Sequence, residues 1–302
     1  MPPITLSNII QSGATAFDKA KLFYGHGIAS AFDEAAYLAL FALDIDPHDQ
    51  IDLQSVTIDS DQQQRINDLY QQRIESRQPA AYITHEGWFV GLPFYVDERV
   101  LVPRSPIGEL IINRFSPWVQ DETSVKHILD IGTGSGCIAI ACAHAFLGAQ
   151  VDAVDISDDA LAVTHINIKR FEMEDRVKAI QSDLMGNVGD QTYDIIVSNP
   201  PYVDELEMAT LPDEYHHEPE MALYADKEGL VFALRILIKA VDHLNPKGII
   251  IIEVGNSCEA LDAAFPDIPF LWLEFEYGGH GVFLMTYDEV IQYQSAFIHY
   301  LS

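Results

Sequence analysis

The feature that most narrows the fold of this chain is an alternation of short apolar runs and helix-like stretches that begins near Lys126. Runs of strand length lie at His127–Ile131, Gln150–Val154, Val177–Gln181, Tyr193–Ser198 and Gly248–Val254. Helical spacing follows the first two, at Cys137–Phe146 and Asp158–Arg170, and Glu228–Leu244 precedes the fifth. Strands joined through helices lie side by side in parallel, so this order predicts a parallel sheet with crossover helices on both faces. Two further runs, Phe270–Phe275 and Val282–Tyr287, are separated only by Glu276-Tyr277-Gly278-Gly279-His280-Gly281. So short a link carries no crossover, and the last pair must be antiparallel. Residues 119–302 therefore read as an α/β unit whose parallel sheet ends in an antiparallel hairpin.

Asp130-Ile131-Gly132-Thr133-Gly134-Ser135-Gly136 falls between the first strand and its helix. Ligands of open α/β sheets bind at the carboxyl ends of strands, and glycines let a ligand approach without a Cβ in the way. The dinucleotide spacing G-x-G-x-x-G would need glycine where Cys137 stands, and no Gly-Lys-Ser/Thr follows to grip a phosphate. What remains resembles the first motif of S-adenosylmethionine enzymes, a Rossmann-like class that the antiparallel final hairpin also suits. On that reading Asp130 and the loop from Gly132 through Thr133, Gly134 and Ser135 to Gly136 meet the charged end of the cofactor. Asp155, ending the second strand and followed by Ile156, would accept the ribose hydroxyls. Asp183 matches the position that reaches the adenine amine, with Leu184 packed on the ring.

The most specific signal is Ser198-Asn199-Pro200-Pro201-Tyr202, after the fourth strand. An amide or aryl-amine nitrogen is a poor nucleophile because its lone pair is delocalised, so methylating it demands that the nitrogen be held in line with the methyl group. The Asn199 side-chain oxygen and the Pro200 carbonyl can accept both N–H groups of such a nitrogen. Pro200 and Pro201 preset the backbone directions, and Tyr202 can stack on the flat amide. Acceptor oxygens there also favour the positive charge that builds on nitrogen.

Ahead of the sheet, residues 1–80 read as a helical unit suited to substrate recognition, with apolar residues at three- and four-residue spacing in Thr5–Phe23, Ala29–Leu43 and Ser60–Ser76. Asp46-Pro47 separates the second from the third. Residues 81–118 read as a hairpin and a linker. Trp88-Phe89-Val90 and Phe94-Tyr95-Val96 flank a turn at Gly91-Leu92-Pro93, and a helix is expected over Ile107–Phe115.

The charge excludes some partners. Seventeen basic against 46 acidic residues give a net −29, a surface that repels phosphate backbones and suits a basic protein. The acids are spread along the whole chain and not clustered, which favours an organism-wide acidic bias as their origin. No apolar run reaches membrane-spanning length, and the first thirty residues lack the layout of a signal peptide. Cys137, Cys142 and Cys258 have no paired spacing, and His216-His217-Glu218 finds no second cluster, as does His280. No metal is expected, and a cytoplasmic setting fits. Arg104 stands either to touch substrate or to anchor the linker.

Together, Asp130–Gly136, Asp155, Asp183 and Asn199–Tyr202 resemble the protein glutamine methyltransferases of the HemK type, and the likeness continues through Glu218-Pro219, Ala222-Leu223 and Glu253. It spans nearly the whole chain and implies transfer of a methyl group from S-adenosylmethionine to a glutamine side chain. Release-factor enzymes of the family carry a Pro-Arg-Pro-Glu-Thr-type stretch where this chain has Pro103-Arg104-Ser105-Pro106-Ile107. The linker looks instead like that of the branch acting on the third large-subunit ribosomal protein. DNA adenine methyltransferases share the Asn-Pro-Pro-Tyr loop but need a basic cleft, so DNA is not the expected target. A non-catalytic ribosome-assembly factor would have no use for both motifs intact.

Overall fold

Local capping decides where the leading helices begin. The computed structural model describes residues 4–47 and 49–302, so residues 1–3 and 48 of the expected helical unit lie outside the described residues. A two-residue strand, β1 (Ile4–Thr5), precedes α1 (Leu6–Ala20), which Thr5 caps through the backbone N–H of Asn8. Ser30 caps α2 (Ala31–Ala42) in the same way. After β2 (Thr57–Ile58), which pairs antiparallel with β1, Asp59 caps α3 (Ser60–Ser76). Leu6, Ile10, Phe17, Leu38 and Ile66 meet in a common apolar core, and α4 (Ala80–Thr84) closes it.

The hairpin is β3 (Glu86–Phe89) with β4 (Leu92–Tyr95). Its turn lies one residue earlier than expected. Phe89 pairs with Leu92, so Val90-Gly91 forms a two-residue turn, and Leu92 and Pro93 belong to the strand. Both turn residues adopt positive φ, 46° and 77°, as a tight turn between right-twisted strands requires. Phe89 and Phe94, with Ile107 and Ile111 of α5 (Ile107–Ile112), sink into the core that lies under the main sheet.

That sheet has seven strands. β5 (His127–Ile131), β6 (Gln150–Asp155), β7 (Val177–Gln181), β8 (Tyr193–Ser198) and β9 (Leu244–Glu253) run parallel, and β11 (Val282–Thr286) is antiparallel to β9. A short β10 (Leu271–Trp272) forms the edge, giving the order β10-β11-β9-β8-β5-β6-β7. α6 (Cys137–Ala145) and α7 (Asp158–Arg170) link β5, β6 and β7, and a short α8 (Glu205–Met208) follows β8. α9 (Val231–His243) precedes β9, and α10 (Cys258–Ala264) follows it. The chain closes with α11 (Tyr287–Leu301), packed on α9.

Several elements differ from the sequence reading: α5 stops at Ile112, short of Phe115, and β10 keeps only Leu271–Trp272 of the run expected there. α9 starts at Val231 because Lys227, Glu228 and Gly229 adopt positive φ, which no right-handed helix contains. β9 begins at Leu244, opposite Tyr193, across a register break. α11 was not anticipated, although Thr286-x-x-Glu289 has the capping-box pattern, with the Thr286 N–H donating to the Glu289 carboxylate at 2.7 Å. No helix among the described residues is long and apolar enough to cross a membrane.

Candidate active site

The topology reorders what the sequence spaces out. The chain lays β6 and then β7 on one side of β5, and afterwards returns to place β8 on the other. Register matches Ile131 with Val154 and with Ser198, and Asp155 with Gln181. Along the carboxyl edge of the sheet the order is therefore Asp183, Asp155, the glycine loop, Asn199 and Glu253. The crevice opens where the strand order reverses, between the glycine loop and the Asn199 loop.

Positive φ at Gly132, Gly134 and Gly136, 72°, 56° and 80°, lets the loop turn from β5 into α6. The space beside Gly134 is open, with no atom within 4 Å of where a Cβ would stand. The Gly134 N–H donates to Asp155 Oδ2 at 3.0 Å and the Ser157 N–H to Oδ1 at 2.9 Å. Asp155 is thus locked in place with a lone pair left on each oxygen. Burial raises its pKa, against the pull of those N–H groups.

Asp130, expected to meet the charged end of the cofactor, lies behind the glycine loop. Its carboxyl is 1% exposed and stands off the cavity wall; it accepts from Thr133 Oγ1 at 2.6 Å and from the Ala139 N–H at 3.1 Å. It holds the loop to the first turn of α6 from behind, where burial pushes its pKa up to about 7. Gly136 also stands off the cavity wall, facing Thr164.

Two cavities meet at the Asn-Pro-Pro-Tyr loop. The first, about 510 Å³, is walled by Gly132–Ser135, Asp155, Ile156, Asp183, Leu184 and Asn199–Pro201. That volume suits a small-molecule cofactor. Its other wall is the linker Arg99–Ser105 with Phe232 and Arg235, of which sequence reasoning had singled out Arg104 alone. Asp183 pairs with Arg235 at 2.7 Å. The second cavity, about 270 Å³, shares Asn199, Pro200 and Arg104 with the first and adds Tyr202, Tyr215, Glu253 and His280. The Asn199 side chain makes no hydrogen bond within the described residues and so remains free for a ligand.

Tyr202 walls the second cavity. Its hydroxyl donates to Glu253 Oε1 at 3.1 Å, and its ring lies so close to Gly255 that a Cβ there would stand 2.5 Å from it. Ser105 Oγ donates to the other Glu253 oxygen at 2.5 Å. Burial raises the Glu253 pKa to about 7, although both donors and Arg104 pull it down. Burial and the Glu253 charge raise that of Tyr202.

Arg104 anchors the linker and also faces both cavities. Its guanidinium forks onto Glu218 at 2.5 and 2.7 Å. Burial alone would raise the Glu218 pKa, but Arg104, with His26 behind it, holds it down at about 2. His217 packs by bonding the Ser76 carbonyl at 2.9 Å, and His280 bonds Asn256 at 3.0 Å.

Comparison with known proteins settles the family. The chain is 46% identical over 296 residues to the ribosomal protein uL3 glutamine methyltransferase of Francisella tularensis, covering 98% of this chain and 94% of that protein. It belongs to that family. The enzyme of the same name from Neisseria meningitidis is 42% identical, over 95% of this chain and 94% of its own. Residues 111–214 match the methyltransferase small domain and residues 19–84 the PrmC N-terminal domain. Among solved structures, the hMettl16 catalytic domain in complex with the MAT2A 3'UTR hairpin 6 superposes with a TM-score of 0.54 at 20% identity, covering 83% of this chain and 92% of that one. That likeness concerns the fold, the class I methyltransferase sheet. The chain is a methyltransferase of this family.

Proposed function

We propose that this chain transfers a methyl group from S-adenosylmethionine to the side-chain amide nitrogen of a glutamine in ribosomal protein uL3. One observation carries the reading: Asn199 and Pro200 wall both cavities at once, so whatever fills the one meets whatever fills the other across these two residues. S-adenosylmethionine, when bound, supplies the electrophilic methyl group. The first cavity fits it on its own chemistry. Asp155, held by two N–H groups, offers an oxygen to each ribose hydroxyl, and the bare faces of Gly132 and Gly134 leave room for the chain that carries the charges. Ile156, Leu184 and Phe232 offer apolar surface to the adenine, with the Asp183 carboxylate near its edge.

In the second cavity the acceptor amide would donate one N–H to the Asn199 side-chain oxygen and the other to the Pro200 carbonyl. Pro201 and Tyr202 line the site on either side of that contact. Two acceptors aimed at one nitrogen fix its lone pair in line and stabilise the charge that develops there. Once it carries the new methyl group and before it loses its proton, the amide nitrogen is cationic and strongly acidic, so it gives that proton up to water and the two acceptors need only hold it in place.

The relatives named above act on uL3, and a basic ribosomal protein suits a chain of net charge −29. We assign recognition of that protein to residues 1–80 with the hairpin, within 81–118, and cofactor binding to 119–302, in the cytoplasm where ribosomal proteins are made. Mass spectrometry of ribosomal proteins and release factors from a strain lacking the gene tests this. Protein uL3 is expected lighter by one methyl group; a lighter release factor with unchanged uL3 refutes the substrate assignment.

A further inference from the structure

One wall of the second cavity is held in place by the N-terminal helices, more than a hundred residues away in sequence. Tyr215 forms that wall. Its ring packs against Phe23 and His26, with centroids 5.7 and 4.5 Å away, and the Arg104 guanidinium lies 5.3 Å from its centre. Buried carboxylates stand on either side of it in the chain, Glu214 at 1% exposure and Glu218 at 5%. Glu214 Oε1 accepts the Phe23 N–H at 3.0 Å and lies 3.5 Å from Nη1 of both Arg73 and Arg77. Arg73 is fully buried; it donates to Glu34 at 2.5 Å and to the Phe23 carbonyl at 3.2 Å. Glu218 receives the Arg104 fork and the Val102 N–H at 3.0 Å, with His26 Nε2 at 3.6 Å.

A surface turn needs no such cluster, because apolar packing secures a turn without desolvating five charged groups. What buried, hydrogen-bonded ion pairs add is one permitted geometry, since any other leaves a charge unpaired. Here the hydrogen-bonded Arg104–Glu218 pair and the buried Glu214, which accepts the Phe23 N–H and lies in ion contact with Arg73 and Arg77, bracket a single ring, and that ring faces the acceptor cavity. We propose that Glu214 and Glu218 are positioning residues: Arg73 and Arg77 draw in the first, Arg104 the second, and Tyr215 between them is fixed as the wall that orients the acceptor side chain. The N-terminal helices are then part of the acceptor site as well as a surface beside it. This rests on reading the second cavity as the acceptor site.

A double-mutant cycle on the full-length protein tests it, with initial rates on uL3 and calorimetric cofactor affinity. Glu214→Gln and Tyr215→Ala are each expected to lower kcat by about tenfold or more, leaving KM for uL3 and cofactor Kd within about twofold, because remote docking contacts and the cofactor cavity are untouched. The double variant is expected to be no worse than Tyr215→Ala alone, since Glu214 acts through the ring, and Tyr215→Phe is expected to stay near wild type. Multiplied losses in the double variant, or lost cofactor affinity in Glu214→Gln, overturn the proposal. If Glu214→Gln fails to fold, Arg77→Ala replaces it, and its smaller loss must vanish in the Tyr215→Ala background. A wild-type protein inactive on uL3 counts against the functional reading instead. Hydrogen exchange then decides without any acceptor: Glu214→Gln should speed exchange at Tyr215 and Glu218 by about tenfold and leave the glycine loop unchanged. Unchanged exchange at Tyr215 and Glu218 overturns it.

Discussion

Replacing Glu253 by glutamine should make the protein more resistant to heat at pH 8 than the wild type while impairing the site. The carboxyl is buried against Tyr202 and Ser105, and its pKa lies at about 7 instead of the ordinary 4.5. An acid that binds its proton more tightly in the folded chain stabilises the fold fully below the unfolded value. That contribution is lost as pH rises from 4.5 to about 7, and stability stays lower above it. A displacement of that size corresponds to about 3 kcal/mol. Glutamine has the same shape and no charge, so it escapes the loss. It offers one acceptor oxygen where the carboxylate offers two, and one of the two donors must reorient, at about 1 kcal/mol. The net expectation is a variant slightly less stable than wild type at pH 5 and more stable at pH 8 by about 2 kcal/mol. In a chain of this length that is roughly 4 °C in Tm. Calorimetric scans at constant ionic strength across pH 5 to 8 measure it. Asp130, also displaced to about 7, loses stability over the same range in both proteins and cancels in the difference. Parallel Tm curves for the two proteins would refute the reasoning, because they would mean that Glu253 is not the group burdened by burial.

The cofactor assignment predicts that Asp155→Ala weakens S-adenosylmethionine binding by roughly 2–4 kcal/mol, since two charge-assisted bonds are lost. Calorimetric affinity within twofold of wild type would mean the ribose site lies elsewhere. Asn199→Ala should cut turnover by orders of magnitude while most of the cofactor affinity survives, and single-turnover rates near wild type would remove the Asn-Pro-Pro-Tyr loop from the acceptor site. Grafting residues 1–118 onto a release-factor-type catalytic domain should carry preference for uL3 with it, because the glutamine amide is the same in both substrates. A chimera that still prefers release factor would place the discrimination in the 203–221 loop. Raising salt should lower kcat/KM for basic uL3 more than for a short glutamine peptide; equal effects would mean that the acidic surface plays no part.

Much of the site was legible because its chemistry is local. The glycine loop and Asn199–Tyr202 are each contiguous, and each announces a backbone or acceptor requirement through its own residue types. That Asp155 stands on the cavity wall was legible from its place at a strand end. Where the Asp130 carboxyl points was not legible for a related reason: an acid beside a glycine loop looks the same in sequence whether its carboxyl faces a ligand or the helix behind. Burial decides between them, and burial is a property of the packed molecule. Arg104 was undecidable for the same reason, since its partner Glu218 lies 114 positions away.

By itself the sequence determined the strand and helix periods, the antiparallel end of the sheet and the two loops that flank the crevice. Each depends on residues within a few positions of one another, where spacing and φ preference speak directly. Only the tertiary structure decided that Ser105 and Tyr202 converge on Glu253, that Arg235 meets Asp183, and that the Phe23 N–H donates to Glu214 across 191 positions. Those partners are brought together by the reversal of strand order and by the burial of the linker under the sheet. A charge buried there must find whichever opposite charge the fold delivers, and no local pattern in the chain records which one that is.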